Sequence, residues 1–261
     1  MNTSPPRLAA TMEAIFGPRS GPYIVAHRGA SGHAPENTMV AFERALALRA
    51  DALECDVHPT KDGQLVVMHD FMLNRTTNGS GLIMQHTLAE IQQLDAGSWF
   101  APGFRDARVP ILAELLAWAK GRTNLVIEIK QGPVFYPQIE QLLAQTLADA
   151  GWQRGVLVIS FDHVALARFK EHAPHIPTGT LYAARTHDPA RFARDVGAEV
   201  LAPHWALLTR AEVEAAHAAG LLIAPWGGAE QDYRHLFTIG VDAAIADFPD
   251  RARLLLEELP G

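Results

Sequence analysis

The chain is short of cysteine, of long apolar runs and of positive charge, and each shortage removes a class of protein. Cys55 is the only cysteine among 261 residues, so no intrachain disulfide can form. No segment approaches the length of a membrane span. The N-terminal M-N-T-S-P-P-R-L-A-A lacks the continuous apolar stretch of a secretory signal. The cytoplasm is the simplest compartment, and stable membrane insertion is not expected. Lys plus Arg is 22 against 29 for Asp plus Glu, a net charge of −7. That balance speaks against nucleic acid or an anionic membrane surface as the main partner. A phosphate-bearing small molecule stays open, because a site sets its own local field.

What is present is a rhythm. The composition, 48% hydrophobic and 20% charged, is ordinary for a globular protein. The length suits one α/β barrel. Apolar runs of strand length fall at residues 23–26, 53–57, 125–129, 156–159, 178–181, 200–202, 221–225 and 243–246. Helical patterns follow each, at 35–49, 111–120, 138–149, 163–171, 189–196, 211–219, 231–239 and 251–259, with a further short helix at about 8–15 in a poorly ordered lead-in. Strand-helix alternation implies a parallel sheet, and eight units imply a (β/α)8 TIM barrel. An open doubly wound sheet is the runner-up, weakened because no glycine-rich phosphate fingerprint follows the first strand. The whole chain, 1–261, reads as a single barrel domain with a small insertion at about 71–108. Thr87 and Glu90 form a capping box within that insertion, and Trp99, Phe100 and Phe104 offer it an aromatic core.

The most informative stretch is L-E-C-D-V-H-P-T-K-D-G-Q-L-V-V-M-H-D, residues 53–70. Glu54 and Asp56 are two apart in a strand and share one face. Cys55 and Val57 share the other, so Cys55 reads as a small core filler rather than a nucleophile. Asp62-Gly63 is a strong signal for a two-residue hairpin turn. That turn would pair Val57 with Met68 and Asp56 with His69, bringing His69 to the carboxylate face.

Function in a barrel of this kind lies at the C-terminal ends of the strands. The residues there are His27 and Arg28, then Glu54 and Asp56 with His69 beside them, then Glu128 and Lys130, Ser160 and Phe161, His204, Trp226 and Asp247. Three carboxylates from adjacent strands are costly to bury together unless a cation offsets them. An all-oxygen set favours Mg2+ or Ca2+. Two histidines nearby suit acid-base work, and Arg28 and Lys130 suit a phosphate. Together these point to phosphoryl-group hydrolysis. The blander readings are a structural Glu128–Lys130 ion pair, Trp226 as a plug in the barrel mouth, His204 as a structural histidine, and Asp247 as the N-cap of the last helix. His172, His217 and His235 are expected to face solvent.

These motifs, in this order, resemble the glycerophosphodiester phosphodiesterase family. The matching pieces are His27-Arg28-Gly29, Pro35-Glu36-Asn37-Thr38, Glu54-Cys55-Asp56-Val57, Thr60-Lys61-Asp62-Gly63 with His69-Asp70, Arg75-Thr76-Thr77-Asn78-Gly79, Leu94-Asp95-Ala96-Gly97, Glu128-Ile129-Lys130, and Gly240-Val241-Asp242 leading to Asp247. The resemblance implies a (β/α)8 barrel that hydrolyses glycerophosphodiesters to sn-glycerol 3-phosphate and an alcohol. It implies His27 and His69 as the acid-base pair, with Arg28 beside them. It implies Glu54, Asp56 and Glu128 as ligands of a divalent cation, and Arg28 and Lys130 as phosphate contacts. Trp226 and Phe161 are the further substrate-contact candidates. Gly227-Gly228-Ala229 replaces the polar run that usually follows the strand-seven Trp, so contacts from that loop do not carry over.

A glycerophosphodiester holds its own nucleophile, the glycerol 2-hydroxyl, so attack through a cyclic glycerophosphate is the expected route. Competing readings are a phospholipase D-like or phosphoinositide-cleaving relative and a non-catalytic binding barrel. The first needs a basic or apolar patch at the barrel mouth, and the second would be marked by loss of a histidine. An amidohydrolase-type barrel is disfavoured, since the first strand ends in His-Arg rather than His-x-His.

Overall fold

A computed structural model describes residues 12–19, 21–228 and 230–259. Residues 8–11 of the expected first helix lie outside the described residues, as does most of the lead-in; the remainder is the short helix Met12–Phe16.

The strands are β1 (Tyr23–Ala26), β2 (Ala52–Pro59), β3 (Leu65–Val67), β4 (Asn124–Ile129), β5 (Val156–Ser160), β6 (Thr178–Tyr182), β7 (Val200–Pro203), β8 (Leu222–Ile223) and β9 (Ala243–Ala246). All but β3 run parallel in the order β8-β7-β6-β5-β4-β2-β1-β9. The seam between β8 and β9 is closed by Trp226, which bridges to both His204 and Ile245, and by Ile245 N donating to Pro225 O at 3.0 Å. The fold is therefore a nearly closed (β/α)8 barrel, and the open-sheet reading is set aside. β8 is shorter than the sequence suggests, because Pro225 has no N–H to extend the ladder.

Alternation sorts the strand residues into two layers. Val25, Val126, Leu157, Ile159, Leu181, Val200, Ala202 and Ile245 fill the barrel interior, and Met12, Ile15 and Phe16 of the first helix join that cluster. Leu53, Cys55, Val57, Leu125, Ile127, Ile129 and Val158 face outward onto helix residues such as Phe42, Leu115, Leu143 and Phe169. Cys55 is fully buried there, as its alternation with the carboxylates requires. Every interior position toward the C-terminal end therefore becomes a position at the barrel mouth.

β3 pairs antiparallel with β2, and Val66 also bridges to Ile111 on its other side; its register with β2 corrects the sequence reading by one residue. Val57 pairs with Val67, not Met68, and Met68 N donates to Asp56 O at 3.0 Å. Asp56 is thus opposite Met68, not His69. The loop holds three residues, not two: Gly63 N donates to Thr60 O, and Thr60 N to Gln64 O. Thr60 Oγ1 bonds Asp62 at 2.6 Å and accepts from Gln64 N at 3.0 Å. Gly63 takes the left-handed conformation, φ 73°, that closes such a turn.

The chain after β3 folds around a satellite core of Val66, Met68, Leu73, Ile83, Ile91, Ala96 and Val109. The Thr87–Glu90 capping box forms as read, on helix Leu88–Ile91. The aromatic core does not: Trp99, Phe100 and Phe104 stack on one another near the surface, with Trp99 39% exposed. Aliphatic side chains fill the small core instead.

Candidate active site

His27 emerges from β1, and Arg28 follows it with φ 55°. That turn aims the Arg28 backbone N–H at Glu54 Oε2, 2.8 Å away. Gly29 comes next, where any Cβ would lie 2.6 Å from the Ala41 backbone; the sharp exit from β1 needs a glycine. Helix Met39–Ala47 begins at Thr38, whose hydroxyl accepts from Ala41 N. Thr38 is thus the N-cap of this helix. Asn37 is diverted into the site, where its amide donates to Asp56 Oδ2 at 2.7 Å.

Glu54 and Asp56 from β2 and Glu128 from β4 converge, with one oxygen from each within 4.8 Å of the others. Glu54 is 1%, Asp56 0% and Glu128 7% exposed. Burial, joined by the charges of Asp56 and Glu128, raises the Glu54 carboxyl well above its ordinary range. Burial also pushes Glu128 up to about 7, with Lys130 opposing and the Asp56 charge adding. Burial acts the same way on Asp56, but Lys130, Arg28 and His69 outweigh it and hold that carboxyl low. Lys130 Nζ lies 2.9 Å from Asp56 Oδ1 and 2.7 Å from Glu128 Oε1. Despite its own burial, these two charges push Lys130 up to about 12. Glu128 and Lys130 are thus an ion pair, as the bland reading held, but one that lies inside the carboxylate cluster. Asp56 Oδ1 makes its contact with Lys130 outside hydrogen-bond geometry and is otherwise unpartnered. An all-oxygen, over-charged, incompletely bonded cluster fits a hard divalent cation.

Both histidines lie at this mouth, each braced by a carboxylate. His27 Nδ1 is 2.6 Å from Asp247 Oδ1. Burial works against ionisation of Asp247, but the hydrogen bond from His27 prevails and keeps its carboxyl low. His69 Nδ1 is 2.7 Å from Asp70 Oδ1, and Asp70 is held low chiefly by Arg75, which donates to it twice. An ionised carboxylate only accepts, so each Nδ1 carries the proton and each Nε2 is left for chemistry. Burial, with Lys130 and Arg28 nearby, lowers the His69 pKa. Arg75 also forks onto Glu36 at 2.7 and 2.8 Å, and Glu36 accepts from Arg28 at 2.9 Å. One chain of ion pairs therefore runs from Arg28 to His69.

His69 reaches the mouth although the register differs, because the strand ends at Val67 and alternation no longer governs. Its carbonyl is anchored instead by His58 Nε2 at 3.0 Å, while His58 Nδ1 meets Tyr136 Oη at 3.0 Å. Burial lowers the His58 pKa to about 4, so the ring is neutral. A carbonyl can only accept, which makes Nε2 the donor and leaves Nδ1 to accept from Tyr136.

Phe161 and Trp226 meet edge to face, centroids 5.3 Å apart, and His204 packs on Trp226 at 4.8 Å. Trp226 both closes the barrel and carries a buried indole N–H without a partner. Asp247 is not the helix cap; Phe248 takes that position, without a side-chain bond. Sequence reading placed Asp247 at its strand end but favoured a cap for it, and it missed Asp70, Asn37, His58 and Tyr136 as parts of the site. Alternation from Ala243 through Ile245 would have turned Asp247 inward, and from Asp56 would have placed His58 on the carboxylate face. A cavity of about 560 Å3 opens beside His69, Glu128, Lys130 and Phe161. A larger depression of about 770 Å3 lies at the opposite end of the barrel, near Lys120, Arg154 and Gly155, and holds none of these groups. Among the described residues no helix is long and apolar enough to cross a membrane.

Comparison with known proteins points to one family. The model of the glycerophosphoryl diester phosphodiesterase family matches residues 27–251. The glycerophosphodiester phosphodiesterase of Caldanaerobacter subterraneus subsp. tengcongensis is 39% identical over 87% of this chain and 94% of its own. That of Bacillus altitudinis is 38% identical over 90% and 98%. Among solved structures, the glycerophosphodiester phosphodiesterase of Agrobacterium tumefaciens superposes with a TM-score of 0.79 at 32% identity, over 89% of this chain and 99% of that one. An Oleispira antarctica phosphodiesterase, solved in complex with the product sn-glycerol-3-phosphate, gives 0.83 at 29% identity, over 91% and 97%.

Proposed function

Because the chain belongs to the glycerophosphoryl diester phosphodiesterase family, we propose that it splits glycerophosphodiesters into sn-glycerol 3-phosphate and an alcohol at the mouth described above, with a divalent cation held by Glu54, Asp56 and Glu128. The observation that carries this reading is the convergence of those carboxylates with two carboxylate-braced histidines and the cations Arg28 and Lys130. Mg2+ or Ca2+ there would offset the carboxylates and polarise oxygen atoms of the substrate.

The chain's own residues have defined work in this scheme. Lys130 and Arg28 offset charge building on the phosphate oxygens. One Nε2, from His27 or His69, takes the proton of the glycerol 2-hydroxyl as its oxygen bonds to phosphorus. The other gives a proton to the departing alcohol oxygen as that P–O bond breaks. In the second step water attacks the cyclic glycerophosphate, the bond from phosphorus to the 2-oxygen breaks, and the two histidines exchange roles. Asp247 and Asp70 keep each imidazole in the tautomer that presents Nε2. Trp226 N–H and Phe161 flank the bound ester. The substrate is a small molecule, and nucleic acid has no part in the scheme.

The test is hydrolysis of a glycerophosphodiester panel with and without chelator, alongside an analogue lacking the 2-hydroxyl. Turnover should vanish with chelator and return with Mg2+ or Ca2+, and the analogue should be inert. Equal turnover of analogue and parent would exclude the cyclic route.

A further inference from the structure

We propose that the cavity beside His69 and Lys130 binds the leaving alcohol and selects a hydrocarbon one. The proposal rests on the phosphodiesterase reading and adds the class of alcohol. The cavity, about 560 Å3, begins at Glu128, Lys130 and His69 and runs outward along Phe71, Met72, Pro133 and Phe161. Glycerol needs polar partners, which lie at the inner end; the outer end is left to the alcohol.

The polar side chains of the outer wall are already engaged. Asp70 accepts from Arg75 and His69. The Gln131 amide accepts from Tyr136 N and donates to Tyr136 O and Glu140. Among the described residues, no free carboxylate is offered there to an ammonium head group, and no free amide to a polyol. The apolar side chains are the ones left open. Phe161 is 46% and Met72 37% exposed, and Phe135, 69% exposed, stands beside Gly132 at the same rim. Covering them with alkyl carbon is favourable, whereas a hydrated head group gains little. Phe161 and Phe135 stand exposed to water, and exposed phenyl rings are weak cation–π partners. The apolar patch that a lipid-type substrate requires at the barrel mouth is therefore present, although the overall charge is acidic.

The experiment measures kcat/KM for sn-glycerol 3-phosphate esters of methanol, butanol, hexanol and octanol, kept below micelle-forming concentrations, by release of glycerol 3-phosphate. Alkanols differ little as leaving groups, so chain length reads binding. The expected rise is about two- to fourfold per methylene, placing hexyl on the order of 10²-fold above methyl. The neutral carbon isostere of the choline ester should exceed the choline ester itself. Combining Met72→Ser with Phe135→Ser, both exposed positions, should flatten the series and leave the methyl ester unchanged. A flat series in the unmodified protein, or choline preferred to its isostere, overturns the proposal while leaving the phosphodiesterase reading intact. If no ester is cleaved with metal present, that reading fails and the proposal falls with it.

Discussion

Glu128→Gln offers the sharpest check on the carboxylate cluster, because it has a stability signature separate from activity. Burial, joined by the Asp56 charge, lifts the Glu128 carboxyl from its ordinary 4.5 to about 7. The folded protein therefore holds this proton more tightly than the unfolded chain. That contribution is full below about pH 4.5 and is lost as pH rises through about 7. At ~1.4 kcal/mol for each tenfold change in proton affinity, the loss is about 3 kcal/mol. Glutamine keeps the shape and still accepts from Lys130, but carries no charge at any pH. It also relieves Glu54, whose rise owes part to the Glu128 charge. Urea unfolding in chelator at about pH 5 and about pH 8 should show the unmodified protein losing about 3 kcal/mol more than the variant between the two. Adding Mg2+ or Ca2+ at the higher pH should restore the unmodified protein and do little for the variant. Identical pH slopes for the two proteins, or no stabilisation by either cation, would refute the account of the cluster.

Two further outcomes follow from the braces on the histidines. Asp247→Ala removes the acceptor on His27 Nδ1 at a half-buried position, so kcat should fall about 10²-fold or more with KM little changed; steady-state kinetics with kcat within about twofold of the parent would remove Asp247 from the mechanism. Tyr136→Phe deletes the hydroxyl that His58 accepts, costing about 1 kcal/mol of stability in urea melts. It should also lower kcat several-fold by loosening the His69 anchor; a stability loss with kcat untouched would make the pair mere scaffolding.

The barrel and its carboxylates were legible because they rest on period-2 alternation, which Leu53, Glu54, Cys55 and Asp56 display in four consecutive residues. The hairpin register was not, because Asp62-Gly63 fits two loop lengths equally well. The Thr60 hydroxyl, bonded to Asp62 and Gln64 N, decides for the longer one. The braces were illegible for a different reason. Asp247 is an ordinary cap candidate until β9 is laid beside β1, and Tyr136 is an ordinary aromatic until it meets His58, 78 residues away. Local pattern carries no information about such partners. The family resemblance supplied roles for the two histidines but no account of what holds them.

The pairing of His27 with Asp247 spans 220 residues and joins the first strand to the last. During synthesis the carboxylates and His69 are complete once β4 has emerged, but His27 has no brace until β9 arrives beside β1. On the proposed roles, a nascent chain or a C-terminally clipped one could gather a cation yet not turn over. Proteolytic damage that removes the last strand would then silence the enzyme rather than leave a partly active hydrolase at work, and that strand would serve as the molecule's own seal of completion.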